Sequence, residues 1–227
     1  MKKAFRLAEF FYPVGQSKRF AFTLAEVLIT LGIIGVVAAL TMPSLIQSHR
    51  KQTTLSKLKK VSAALGQANS LAVVEYGDSR ETFAQWNADE ALKMFEKYYT
   101  PYMKIDKVEK GEKGVFAYLT DGTALYFFRN YTTPEFEGWY NTYFVACITH
   151  KACKILDESS DQTINKSLGV ERFILYTNGM LPSYHYLSGG TRAQAIEDCK
   201  NGTSKEGCSA LIGGDSWQIK KDYPFKF

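Results

Sequence analysis

The 227-residue chain is long enough for one substantial folded domain plus an appended segment. It has no low-complexity tract and no fixed-period repeat, which excludes collagen-like, solenoid and disordered classes. Its net charge of +5 would suit a nucleic-acid partner, but Lys2, Lys3, Arg6, Lys18 and Arg19 against Glu9 supply four of those charges before Phe22, so specific nucleic-acid binding is not expected.

From Phe22 to Ile46 the chain is nearly all apolar, and its only formal charge is Glu26. As a helix this run would be about 37 Å long, against a bilayer core of roughly 30 Å. The core is too long for a secretory signal peptide, and Val36–Ser44 makes a poor cleavage site of the small-residue type. A plain anchor would fit the length and the basic flank. It would not explain Glu26, because a carboxylate inside a membrane-length run is costly without a partner.

The stretch AFTLAEVLITLGIIGVVAALTMPSLI resembles the N-termini of type IV prepilins and type II secretion pseudopilins. The resemblance rests on Lys18 and Arg19 in a basic leader, Ala21 before the cut, Phe22, Thr23, Leu24, a small residue at Ala25, Glu26, and Pro43 near the end of the run. Ala21 stands where the family usually has Gly; both are small. The resemblance implies cleavage between Ala21 and Phe22 by a prepilin peptidase, N-methylation of the freed Phe22 amine, and assembly with other pilin or pseudopilin subunits through the apolar helix. An assembly platform with its ATPase would extract the subunit from the inner membrane. Glu26 would neutralise the Phe22 amine of a neighbour and set axial register, since a paired charge is tolerated in a dry helical core. Pro43 lacks a backbone donor and should kink or loosen the helix. Gly32 and Gly35 fall short of a GxxxG pair but allow close helix approach.

Beyond the run the helix continues to about residue 78. Leu55, Leu58, Val61, Leu65, Ala68 and Ala72 recur at three- and four-residue spacing and form one apolar stripe, with Gly77 suited to a left-handed stop. The basic group His49, Arg50, Lys51, Lys57, Lys59 and Lys60 reads either as a membrane-phosphate contact or as a solvated helix face. A second helix is predicted over Thr82–Tyr98, ended by Thr100-Pro101.

The 14 Tyr and 15 Phe lie mostly after residue 75 and suit a β-rich domain. Two apolar runs around Asp121-Gly122 read as a hairpin. Asn141–His150 reads as a third strand, and Arg172 onward as a fourth that turns at Asn178-Gly179. The expected fold is therefore α+β and pilin-like, with a long N-terminal helix packed on a C-terminal antiparallel sheet. The expected divisions are a cytoplasmic leader at 1–21, a transmembrane and filament-core helix at 22–46, its amphipathic continuation at 47–78, and a periplasmic or extracellular domain at 79–227. Variable loops are expected at about 79–114 and 187–227, the second after a short helix over Thr191–Lys200.

Cys147, Cys153, Cys199 and Cys208 allow three disulfide pairings. Proximity favours Cys147 with Cys153 and Cys199 with Cys208. A four-cysteine zinc site is the rival, but its close-pair spacing is missing. The tail, with Trp217, Ile219, Asp222, Tyr223, Pro224 and Phe225, resembles those of Gram-negative-type pilin-like proteins; Trp217 and Tyr223 are expected to pack on the sheet.

No catalytic constellation emerges. His49, His150 and His185 are scattered, and no nucleophile elbow, P-loop or HExxH occurs. Asp157, Glu158 and Asp161 offer carboxylates for calcium without EF-hand spacing, so no metal or cofactor is expected. The expected function is a structural filament subunit. The competing reading is a monomeric membrane-anchored periplasmic binding protein.

Overall fold

A computed structural model describes residues 22–77, 88–112, 114–129, 142–158, 171–176, 178–185, 190–202 and 206–227. The leader, the first residues of the predicted second helix, and Asp161 lie outside the described residues. The chain divides into two units, with the boundary between Ser44 and Leu45.

Helix α1 runs Leu24–Tyr76 and includes Pro43. In the second unit it buries Thr54, Leu58, Val61, Leu65, Ala68 and Ala72, a stripe advancing by alternate steps of four and three residues. Leu55 is only partly buried. Gly77 ends the helix with φ 79° and donates its N–H to the Val73 carbonyl, as its freedom from a Cβ permits.

Helix α2 spans Ala88–Tyr98 and buries Ala91, Met94, Phe95 and Tyr98. A 3-10 turn over Thr100–Tyr102 follows, with Pro101 in its first positions.

Five antiparallel strands form one sheet in chain order: β1 Ile105–Lys110, β2 Val115–Leu119, β3 Ala124–Arg129, β4 Thr142–Cys147 and β5 Arg172–Tyr176. The β2–β3 hairpin turns at Gly122 with φ 82°, where Asp121 accepts from the Thr123 N–H. Strand β1 corrects the expectation of a variable loop across 79–114. Its sequence IDKVEK has no alternating apolar face, and its exposure is that of an edge strand.

The two sheet faces carry different covers. Val115, Ala117, Leu125, Phe127, Phe144, Ala146, Phe173 and Leu175 share one core with α1 and α2. Phe127 and Phe144 are register partners with ring centroids 4.5 Å apart, and Tyr99 meets Phe144 edge-on at 5.0 Å. Opposite them, Phe116, Tyr118, Tyr126, Val145 and Ile174 form a second core with Ala152, Cys153 and Leu156 of α3, which spans His150–Glu158.

Helix α4, Arg192–Asn201, is capped by the Thr191 side chain, which accepts from the Gln194 N–H, and ends at Gly202 with φ 66°. Helix α5, Gly207–Gly214, was not anticipated in the C-terminal loop. Its buried Ser209 hydroxyl accepts from the Ile174 N–H at 2.8 Å, so the helix covers the outer edge of β5. The structure joins Cys147 to Cys153, linking β4 to α3, and Cys199 to Cys208, linking α4 to α5.

Candidate functional site

The described part of the first unit offers an exposed apolar surface. Phe22 is 84% exposed, and Leu28, Ile29, Ile33, Ile34, Val36 and Leu40 are all exposed. Among the described residues, α1 is the one helix long and apolar enough to cross a membrane. Among the described residues a Cβ placed on Gly32 or Gly35 would meet nothing within 4 Å, so no contact there demands glycine at either position.

Glu26 has a local partner that sequence reading overlooked. Its carboxylate accepts from the Thr23 N–H at 2.8 Å and from the Thr23 hydroxyl at 2.7 Å. The Thr23 hydroxyl accepts in return from the Glu26 N–H at 3.2 Å. This is a reciprocal capping box: Thr23 caps the helix and Glu26, three residues on, satisfies another N-terminal donor. The T-x-x-E spacing of a capping box is present in Thr23–Glu26. The arrangement leaves the carboxylate at the first turn, where the positive end of the helix dipole also favours it.

The polar side chains along the apolar segment are satisfied locally. Thr30 donates to the Val27 carbonyl at 3.0 Å, Thr41 to the Val37 carbonyl at 2.9 Å, and Ser44 to the Thr41 carbonyl at 3.1 Å. Such back-bonding lets hydroxyls sit in an apolar surrounding without bare donors. Pro43 lies within the helix as described, and no break in helical structure accompanies it.

The basic group after the apolar run divides in the second unit. Lys57 donates to the Ile148 carbonyl at 3.1 Å, and Lys60 pairs with Asp121 at 2.8 Å. Burial opposes ionisation of Asp121, but the hydrogen bonds from Lys60 and Thr123 outweigh it and hold its pKa at about 2. His49, Arg50 and Lys59 are not engaged in ion pairs among the described residues.

The tail holds an ionic clasp that no motif announced. Arg192, at the start of α4, donates through Nε to both Asp215 oxygens at 3.0 and 2.9 Å. Its two terminal nitrogens grip Asp222 at 2.5 and 2.8 Å. Lys220 adds a 2.7 Å pair to Asp215, whose side chain is only 2% exposed. The Arg192 hydrogen bonds hold the Asp222 carboxyl down at about 2, while Arg192 is itself pushed up, first by Asp222 and then by Asp215. Trp217 and Tyr223 pack against the principal core, and burial pushes the Tyr223 phenol up.

Among the described residues no group of three or more His, Cys, Asp or Glu could hold a metal ion. Asp161 and the side chains of Asp157 and Glu158 fall outside them. His150 faces the Leu119 carbonyl at 3.3 Å and sits edge-on to Tyr118, the His185 ring lies tilted against Tyr184, and His49 is on α1.

A family of unknown function, DUF6613, matches residues 44–227. The prokaryotic N-terminal methylation motif matches residues 16–42. No curated protein and no solved structure matches the chain.

Proposed function

The chain belongs to DUF6613, a family of unknown function, and opens its long helix with a prokaryotic methylation motif; from that premise we propose that it is a structural subunit of a type IV pilus or type II secretion pseudopilus. The motif marks a type IV pilin-like or pseudopilin subunit. In this reading a prepilin peptidase cuts between Ala21 and Phe22 and methylates the Phe22 amine. The subunit waits in the inner membrane with its C-terminal domain on the far side, then joins a filament driven by an assembly platform and its ATPase.

The observation that carries the reading is an apolar helical stretch, exposed from Leu24 to Ser44 except at half-buried Ala38, whose start reads Phe22-Thr23-Leu24-Ala25-Glu26. So much exposed apolar surface needs either lipid or other helices. Both occupants are required in turn by a subunit that is stored in a membrane and then packed with its neighbours. Glu26 is held at the first helical turn by Thr23, one residue from Phe22, where the freed amine of an adjoining subunit would find a preplaced carboxylate.

Mass spectrometry of the N-terminus of the protein recovered from its cells tests this. N-methyl-Phe22 is the expected result. An intact Met1, or a cut after residue 40, overturns it.

A further inference from the structure

At the start of the second unit, a cavity of about 360 Å³ is lined by His49, Arg50, Thr53, Ile148, Glu171 and Phe227. We propose that this cavity holds the headgroup of phosphatidylethanolamine while the subunit is anchored in a bilayer. The inference rests on the membrane anchoring set out above and adds a ligand to it.

Two of its lining residues follow the apolar run closely in the chain. His49 is three residues beyond Ile46, the last residue of the apolar run, and Thr53 is seven beyond. At 1.5 Å per residue these lie about 4.5 to 10.5 Å past the run. The headgroup layer on each side of the hydrocarbon is roughly 5 to 8 Å thick. With the anchoring set out above, His49 to Thr53 are the residues the chain itself brings into the headgroup layer next after the apolar run.

Its charges are of both signs. Arg50, with His49 beside it in the chain, faces the cavity from α1, and Glu171 faces it from the residue before β5. Among the described residues neither Arg50 nor Glu171 is in an ion pair. A zwitterion satisfies both walls at once: its phosphate takes the Arg50 guanidinium, and its primary ammonium takes the Glu171 carboxylate. A headgroup with phosphate alone would bring negative charge against Glu171. A quaternary ammonium carries no N–H to donate to it. Buried Ile148 and the half-buried Phe227 ring supply apolar wall for the glycerol and upper acyl carbons.

The test uses the full chain in nanodiscs with equal phosphatidylethanolamine, phosphatidylglycerol and phosphatidylcholine, and reads retained lipid by native mass spectrometry. Phosphatidylethanolamine should be retained over each of the others by roughly fivefold to tenfold. Glu171→Gln should abolish its preference over phosphatidylglycerol, Arg50→Gln should lose most retained lipid, and Lys59→Gln should change nothing. Equal retention of the three lipids, or a loss with Lys59→Gln as large as with Arg50→Gln, overturns the site. A chain that inserts normally and retains no lipid overturns this inference alone. A chain that does not enter the bilayer overturns the anchoring reading as well.

Discussion

Gly179, in the turn after β5, lies directly against Gly66 of α1. A Cβ on Gly179 would stand 2.7 Å from the Gly66 nitrogen and 2.1 Å from the Ser62 carbonyl oxygen. A Cβ on Gly66 would in turn stand 2.7 Å from the Asn178 carbonyl oxygen. Gly179 also has φ 79°, and the Ser62 hydroxyl donates to its carbonyl at 2.6 Å. Helix and turn thus meet backbone to backbone, which only residues without side chains allow.

Gly179→Ala should therefore destabilise the domain by about 2–4 kcal/mol, since it adds both a clash and left-handed strain. Gly66→Ala has helix propensity in its favour, by about 1 kcal/mol, and should cost less. Thermal melts of the full-length variants, read beside the wild type, check the order. Equal melting of Gly179→Ala and wild type would show that the turn does not rest on α1.

The Thr23–Glu26 capping box separates two roles of one carboxylate. Gln at position 26 can still accept from Thr23, but it cannot neutralise an amine. Glu26→Gln should therefore insert into membranes normally and fail to assemble, as should Glu26→Ala. Thr23→Ala, which removes the cap at about 1 kcal/mol, should still assemble. Sheared-filament yield against membrane content gives the measurement. Full assembly by Glu26→Gln would reduce Glu26 to a helix cap.

The tail clasp should fail from the buried side first. Arg192→Ala leaves Asp215, 2% exposed, with Lys220 as its remaining cationic partner, and should cost about 3 kcal/mol. Asp222→Asn should cost distinctly less, because that carboxylate is 55% exposed and its pairing is screened by water. Chemical denaturation of the three proteins checks the ranking.

The Lys60–Asp121 and Arg192–Asp222 pairs give an acid signature. Asp121 and Asp222 both titrate near 2 in the folded protein, below the ordinary aspartate value of about 3.9. A lowered folded value means that the unfolded chain takes up protons first as pH falls. The stabilisation is then complete above about pH 4 and is lost between 4 and 2. Asp121→Asn and Asp222→Asn should each flatten the fall in melting temperature across that window and leave its slope above pH 5 unchanged.

The two disulfides close short loops, with sequence separations of 6 and 9. Replacing either pair with Ser should cost about 2–3 kcal/mol. Loss of Cys199–Cys208 should also loosen α5 and bare the β5 edge that Ser209 covers. Faster hydrogen exchange at Ile174 than in the Cys147/Cys153 variant would show it.

Some of this protein is written locally. Leu58, Val61, Leu65, Ala68 and Ala72 could be placed on one face because helical period is a property of consecutive residues. The hairpin at Gly122 and the stop at Gly77 were legible because each demands a backbone conformation that glycine provides. Strand β1 was not legible: Asp106, Lys107, Glu109 and Lys110 carry no alternating apolar signal, and an edge strand is held by its neighbour's backbone. Arg192 and its carboxylates stood out no better, being 23 and 30 residues apart.

The long apolar helix, the motif at its start and the α+β order of elements can be read along the chain, because each depends on residue spacing. Tertiary structure alone decided which charges pair, why Gly66 and Gly179 must be small, and where Arg50 and Glu171 face one cavity. Those depend on distances between residues far apart in sequence, which only packing brings within reach.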